Sequence, residues 1–495
     1  DSFERMDLNT FQHQASYLIA TLNYFSNADI SNLKADEDFV YFNFPYFGMV
    51  FYPFSWIVPM LVVCALLFFV LLIVGFSNKK LTIVGVLKGF IPFILSLLIS
   101  SLFAIYGWKL VLKIHPHYND ILHGFTYNGY YYIAAFVALT LAICFWFYKG
   151  FFKKRTAQDL VIAPLFIWIL INVGIALYLP GAAFFIIPVI VLLFILSVLV
   201  FNERENRVVL FSIAVIPILI IFSPLIKLFP VGLGLKMLII STVFTVLLFG
   251  LLIPVFQQYK NQRKIPYLFL LIGCMALISA ALHSGFSEER KQPNSILYVL
   301  DTSINKAYWA SYNATTDNFT KQFLGENPTK GSYDANTTAS KYKTKIKLHK
   351  QTEIVQLLKP TITIVSDTII NSNRRICLSI YSNRNANKIE LLTTFPIKFK
   401  EFKVNDVPLK KEVSKNNVFS IKSGSILSYY RTETDEIIDL EFVVDANQKL
   451  DIDIFESKYD LFTNPLFTIA PRASSMLPMP FVLNDATVIK TNIKF

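Results

Sequence analysis

The sequence predicts a polytopic α-helical membrane protein followed by an antiparallel β-sandwich-like domain. Three observations predict it. The composition is too apolar for an ordinary soluble chain, eight apolar runs are long enough to cross a bilayer, and the patterning changes to period two after residue 284. Of 495 residues, 54% are hydrophobic and only 16% charged, against roughly 25% charged in soluble domains. Mean hydropathy is +0.49. The charges are also unevenly spread. Residues 1–283 carry 18 Lys or Arg and 11 Asp or Glu, and the remainder carries 28 and 23. The division this suggests is an opening stretch 1–46, a transmembrane domain 47–283 and a β-rich domain 284–495.

The net charge of +12 does not point to nucleic acid. In the first part the basic residues sit in short loops between apolar runs, where membrane topology accounts for them. In the second part acids nearly balance bases. Three of the four cysteines (Cys64, Cys144 and Cys274) lie inside apolar runs. Cys377 alone falls in the β-rich part, so that domain has no internal disulfide. The chain opens at Asp1 with no leader pattern, and the expectation is that a further part precedes it.

The opening stretch reads as a soluble amphipathic helix over Asp7–Phe25. Asp7 is the predicted N-cap, and Leu8, Phe11, Ala15, Leu18, Leu22 and Phe25 recur at helical spacing. Such a stripe must be buried against something, and too little chain accompanies it to form a core.

The eight apolar runs cover approximately 54–76, 86–112, 128–148, 160–179, 181–201, 207–228, 233–255 and 265–283. Each approaches the ~20 residues that span a ~30 Å hydrocarbon core. Their centres contain no charge, and one there would cost roughly 2.5–3.5 kcal/mol. One set of run ends carries Lys79, Lys80, Lys88, Lys149, Lys153, Lys154, Arg155, Arg204, Arg207, Lys260, Arg263 and Lys264. The other set has only Lys109, Lys113, Lys227 and Lys236. The positive-inside rule places the first set in the cytoplasm and residues 1–53 and 284–495 outside. Trp56, Trp108 and Trp146 fall near run ends, as interfacial aromatics do. Uncharged spans disfavour a proton-coupled transporter or ion channel. Pro59, Pro92, Pro164, Pro188, Pro217 and Pro224 read as kinks rather than as broken helices around a binding site.

From Ser295 onward, short alternating or β-branched runs such as SILYVLD, KAYWAS, TITIVS, ICLSIYS, IIDLEFVVD and LDIDIF are punctuated by Asn, Asp, Gly and Ser. Eight or more short strands predict a sandwich. Lys341, Lys343, Lys345 and Lys347 predict one strand with a charged, solvated face.

The most suggestive polar cluster is HPHYNDILH, with His115, His117, Asp120 and His123 in an external loop. Imidazole and carboxylate at such spacing are ligands that zinc or another divalent metal accepts. An interfacial loop whose histidines bond water and backbone explains the same residues. There is no His-Glu-x-x-His, no Gly-x-Ser-x-Gly and no phosphate-cradling glycine loop. His13 and His283 read as surface and interfacial residues. Three Asn-x-Ser/Thr sequons, at Asn313, Asn318 and Asn336, matter only in a eukaryotic secretory pathway. The Lys-, Asn-, Ile- and Phe-rich usage resembles an AT-rich bacterial genome.

The stretch DSFERMDLNTFQHQASYLIATLNYF resembles the end of the peptidase domain in membrane-bound zinc aminopeptidases of the vacuolar membrane protease and endoplasmic reticulum metallopeptidase type. In that family an Asp closely follows the last zinc-binding His, and a helix then begins leucine-glutamine-histidine. Asp1 resembles that Asp, and Phe11-Gln12-His13 resembles the helix start. Asp38–Pro53 resembles the family's approach to its first span after the peptidase. Tyr298–Ser311 and Asp317–Gly325 resemble the start of its C-terminal extracytoplasmic domain. The resemblance implies a zinc exopeptidase whose ligands and general-base glutamate lie before Asp1, so no catalytic or zinc-binding role falls on a numbered residue. It implies zinc in an upstream domain or subunit, a peptide substrate, and lipid bilayer as a partner. The expected location is a bacterial inner membrane, with a vacuolar or endoplasmic reticulum membrane as the alternative. The other expectation from the residues is a non-catalytic membrane scaffold or secretion-complex subunit whose β domain binds a partner or glycan.

Overall fold

Every N–H and C=O of an apolar run must find its partner within the chain, and a helix supplies those partners locally. The computed structural model describes residues 6–31, 33–44, 48–202, 207–259, 263–338, 340, 342–409 and 419–495. Asp1, Arg204, Lys260, Lys341 and residues 45–47 of the aromatic segment lie outside the described residues. Two compact units result. A helical unit runs through His115 and resumes at His123–Gly285, and a β unit combines Pro116–Leu122 with Phe286–Phe495.

The helical unit starts with α1 (Leu8–Asn27). Asp7 caps it as the sequence predicts, accepting from the Asn9 N–H at 3.0 Å and the Thr10 hydroxyl at 2.7 Å. A hairpin follows, β1 (Phe39–Phe44) and β2 (Gly48–Pro53). Next come α2 (Ile57–Ser77), α3 (Ile83–Ile114), α4 (Gly129–Tyr148), a short α5 (Phe151–Lys154) and α6 (Ala157–Tyr178). The rest of the unit is α7 (Ile186–Phe201), α8 (Val208–Leu233), α9 (Leu238–Leu251), a short α10 (Ile253–Phe256) and α11 (Ile265–Leu282).

Among the described residues, seven helical stretches are long and apolar enough to cross a membrane. The eighth predicted run, 233–255, differs, because its helix extends only over Leu235–Leu251. The reason is its surroundings. Leu238, Ser241, Thr242 and every residue from Phe244 to Leu251 are buried, with α3, α4, α6 and α8 packed around them. Hydrocarbon thickness sets the length of a helix solvated by lipid, and α9 is solvated by protein. The prolines do not break the helices that hold them. Helix α3 continues through Pro92 for 32 residues, and α8 through Pro217, Pro224 and Pro230 for 26.

One polar joint ties α3 to α6. Thr82 caps α3, accepting from the Gly85 N–H at 3.0 Å, and Thr156 caps α6. Asp159, in the first turn of α6, is 3% exposed. Its carboxylate accepts from the Thr82 N–H at 2.9 Å and the Thr82 hydroxyl at 3.1 Å. A carboxylate is thus placed where the positive ends of two helix dipoles meet. Glycine at positions 85 and 89 permits this approach. A Cβ at Gly89 would stand 2.8 Å from the backbone oxygen of Asp159.

The β unit contains β3 (Gln292–Asn294), β4 (Leu297–Asp301), β5 (Lys306–Ser311), a short helix α12 (Lys321–Leu324), β6 (Thr329–Lys330) and β7 (Leu348–Thr352). It continues with β8 (Thr361–Ile370), β9 (Asn373–Tyr381), β10 (Lys388–Thr393), β11 (Ile397–Phe399), β12 (Glu401–Val404) and β13 (Val407–Pro408). The last strands are β14 (Phe419–Ile421), β15 (Gly424–Tyr430), β16 (Ile437–Asp445), β17 (Asp451–Lys458), β18 (Met476–Pro478) and β19 (Ala486–Lys494). An eight-stranded sheet has the order β15-β10-β17-β19-β4-β5-β7-β6, and a five-stranded sheet the order β13-β12-β16-β9-β8. Ile376, Leu378, Phe402 and Phe442 of the smaller sheet meet Ile389, Leu391, Ile452 and Ile454 of the larger in one core.

Two expectations are corrected here. The pairing is not wholly antiparallel, because the chain's end returns beside its first strands. β19 lies parallel to β4, and β18 parallel to β3. The lysine ladder is not a strand either. Residues 343–347 have no strand pairing, Lys343 turns at φ +55°, and β7 starts only at Leu348.

Replacing Gly89 by Leu must push α3 off α6. The expected result is a loss of about 1–3 kcal/mol, the usual cost of overpacking, read as a lower melting temperature in detergent. Gly174, with nothing near its missing Cβ, is the control, and Gly174→Leu leaves the melting temperature unlowered.

Candidate functional site

The histidine loop is where the sequence concentrates ligand-type side chains, and its four residues divide between the units. His115 ends α3, its N–H donating to Val111 O at 2.8 Å. Burial lowers its pKa. His123 is also in the helical unit, where the adjacent Gly124 carbonyl accepts from the Leu235 N–H at 2.8 Å. His117 and Asp120 belong to the β unit, in a 3-10 turn over Pro116–Asp120. The His117 ring packs edge-on against Tyr118 and Phe286, with centroids 4.7 and 5.2 Å away. Among the described residues, no group of three or more His, Cys, Asp or Glu side chains is arranged to hold a metal ion.

Asp120 instead holds the loop in the β unit. Its side chain is 1% exposed. One oxygen accepts from the Ala314 N–H at 2.6 Å, and the Lys347 ammonium stands 4.0 Å away. Lys347 also donates to the Asn119 carbonyl at 3.3 Å. The second carboxylate oxygen is buried with no hydrogen-bond donor among the described residues. Burial therefore outweighs the Ala314 bond and the Lys347 charge and pushes the carboxyl up to about 6.

A second set of polar groups lies across the larger sheet. The buried Lys490 ammonium on β19 is 3.3 Å from Asp301 on β4 and 3.6 Å from Asp453 on β17, and it also pairs with Asp334. Asn336 donates to Asp453 at 2.7 Å. Arg384 pairs with the fully buried Glu456 at 2.8 Å and donates to the carbonyls of Glu456 and Thr487. Arg472 forms a two-pronged pair with Asp485 and covers the rings of Phe319 and Phe462. These carboxylates are all engaged by cations, which suits cross-strand ties better than general acid or base work. Sequence reading did not single out these residues. The only local signal was charge inside otherwise apolar strands such as IKTNIK and DIDIFES.

Apolar residues are also uncovered in the part of the helical unit before its first long helix. Helix α1 buries none of its residues, and Leu8, Phe11, Leu18, Leu22 and Phe25 are all exposed. The β1–β2 hairpin buries Val40 against Ile57 and Ala183, while Phe39, Tyr41, Met49 and Phe51 face outward on its other side. Comparison with protein-family models, with characterised proteins and with solved structures finds no match to this chain.

The Asp120 carboxyl gives a pH dependence of known sign. A folded-state pKa near 6, above the ordinary value of 3.8, means the folded form binds the proton more tightly. The contribution of Asp120 to stability is then greatest below about pH 4, falls as pH rises through 6, and is flat above that. Asp120→Asn flattens this slope, with about 1–3 kcal/mol removed between pH 4 and 7. Urea unfolding followed at both pH values measures it.

Proposed function

We propose that this chain is the transmembrane anchor and C-terminal extracytoplasmic domain of a membrane zinc exopeptidase, with the catalytic zinc held by a separate peptidase-like domain or subunit. The observation that carries the proposal is the bare stripe of α1. A helix with Leu8, Phe11, Leu18, Leu22 and Phe25 all exposed is stable in water only against a partner. The stretch that resembles the end of a zinc peptidase domain is this same helix.

The rest of the reading follows from topology. The seven long apolar helices with α9 make eight crossings, and the surplus of Lys and Arg at one set of ends puts those ends in the cytoplasm. Residues 1–53 and the β unit then share the extracytoplasmic side with the peptidase part. A bacterial inner membrane fits the residue usage, and a vacuolar or endoplasmic reticulum membrane is the alternative. In the family mechanism two zinc ions activate water for attack on a peptide carbonyl. This chain's part is to anchor that centre in the membrane.

A non-catalytic scaffold is the second reading. It is favoured by the β unit's buried carboxylates, which are engaged in ion pairs. The complete native assembly distinguishes the two when isolated with its partners. The expected result is bound zinc and cleavage of short peptides from their N-termini, with chelation abolishing both. Leu18→Asp with Leu22→Asp is expected to release a separate peptidase subunit from the membrane fraction, or to lower the melting temperature of a peptidase domain carried on the same chain. A zinc-free assembly that leaves peptides intact would hand the case to the scaffold.

A further inference from the structure

Lys490 lies on β19, and both neighbouring strands bring it an acid. Its ammonium is 3.3 Å from Asp301 Oδ2 on β4 and 3.6 Å from Asp453 Oδ1 on β17. It also donates to Asp334 Oδ2, from the loop between β6 and β7. The Lys490 and Asp301 side chains are 7% and 2% exposed. The Phe455 ring and the stacked rings of Tyr308 and Tyr333 border the group. Burial opposes the ammonium's charge, but the Asp334 hydrogen bond and the charges of Asp453 and Asp301 outweigh it and raise its pKa. The ammonium is therefore the resting form. A cross-strand ion pair needs one carboxylate, and here there are three.

The three acids are held differently. Asp453 accepts from two side-chain amides, Asn336 at 2.7 Å and Asn492 at 3.0 Å, which fix it in place. Asp301 accepts from the Ser303 N–H through Oδ1 at 3.0 Å and turns Oδ2 to Lys490. Asp334 accepts from the Asn336 N–H through Oδ1 at 3.0 Å and presents Oδ2 to the ammonium. Its side chain is 27% exposed, against 2% for Asp301 and 10% for Asp453. Lys490 is thus a nitrogen nucleophile once deprotonated, Asp334 offers a carboxyl carbon beside it, and Asp301 is a second carboxylate within reach of the same nitrogen. Those are the groups that amide formation requires.

We propose that Lys490 and Asp334 join in an intramolecular amide, a covalent tie between β19 and the loop before β7. The ammonium gives one proton to Asp301 Oδ2, and the freed Nζ lone pair attacks Cγ of Asp334. The Nζ–Cγ bond forms and one Cγ–O bond breaks. That oxygen leaves as water, with a second proton from Nζ and one from solvent, to which Asp334 is open. The third proton stays as the amide N–H, and Asp301 keeps the first as a carboxylic acid. One cation and two anions are thereby removed from a buried site, and neutral groups replace them. Free ammonium and carboxylate groups do not condense in dilute water. Groups held in register react as though at roughly 10⁵–10⁸ M. The reaction runs once per chain, so it needs no access for a substrate. The tie would close a loop across 156 positions, which restricts the unfolded chain. Cys377 is the only cysteine in the β unit, so no disulfide within it can do the same.

The test is a tryptic digest of the full chain, purified and then denatured, read by tandem mass spectrometry. Trypsin does not cut after an acylated lysine. The expected result is peptide 331–341 joined through Asp334 to peptide 473–494 through Lys490, one water lighter than the two together. Separate peptides, with cleavage after Lys490, overturn the proposal, and this reading of the unaltered chain depends on no variant. A bond from Lys490 to Asp301 or Asp453 overturns the choice of Asp334. Lys490→Arg and Asp334→Ala each abolish the joined pair. Asp301→Ala keeps both joining residues and loses the pair, and a joined pair that survives in it overturns the role given to Asp301.

Discussion

The packing of α9 is the constraint on which the helical unit depends. Its hydroxyls are turned inward to backbone carbonyls: Ser241 donates to Ile226 O at 2.6 Å and Thr245 to Ser241 O at 2.7 Å. With α3, α4, α6 and α8 all packed on it, each takes its position from one short helix. Helices that are apolar on every side do not single out one packing face, so close van der Waals fit must do so. That explains why backbone approach recurs around this centre. Gly250 of α9 leaves room for Pro164 and Phe93, and Gly89 leaves room for Asp159.

Asp159 shows how a charge is kept in such a unit at low cost. It has no cation partner among its hydrogen bonds. It is held by the Thr82 N–H and hydroxyl, where two helices begin. The β unit solves the same problem differently. It buries Lys490 and Glu456 on its strands and Arg384 in the loop between β9 and β10, and each meets an opposite charge brought from elsewhere in the chain. Removing one partner of such a pair leaves a buried charge, which costs far more than the pair contributes.

The parts of this fold legible in the sequence are those governed by short-range rules. The run 54–76 corresponds to Phe54–Ser77, Asp7 caps α1, and SILYVLD and IIDLEFVVD become β4 and β16. Periodicity and capping need only neighbours three or four residues apart. What was not legible depends on distant residues. The length of α9 follows from the helices around it, and the parallel partner of β4 is nearly 190 residues away. Lysines alternating from 341 to 347 mimic a strand, but residues 343–347 form no strand. The histidine loop was conspicuous for its ligand-type residues. Its main structural role belongs to Asp120, through Ala314, 194 positions further on. No local pattern announces such a bond.

The uncovered apolar surfaces of the helical unit belong to two different solvents, and that difference bears on function. Helix α1 alternates its stripe with Asn, Gln, Thr and Ser, a polar face that only water rewards. Helix α2 has no such face, because it is apolar on every side. A partner that covers α1 must therefore be a folded, water-soluble surface with its own apolar patch. The exposed faces of α1 and α2 thus suit different solvents, one aqueous and one apolar.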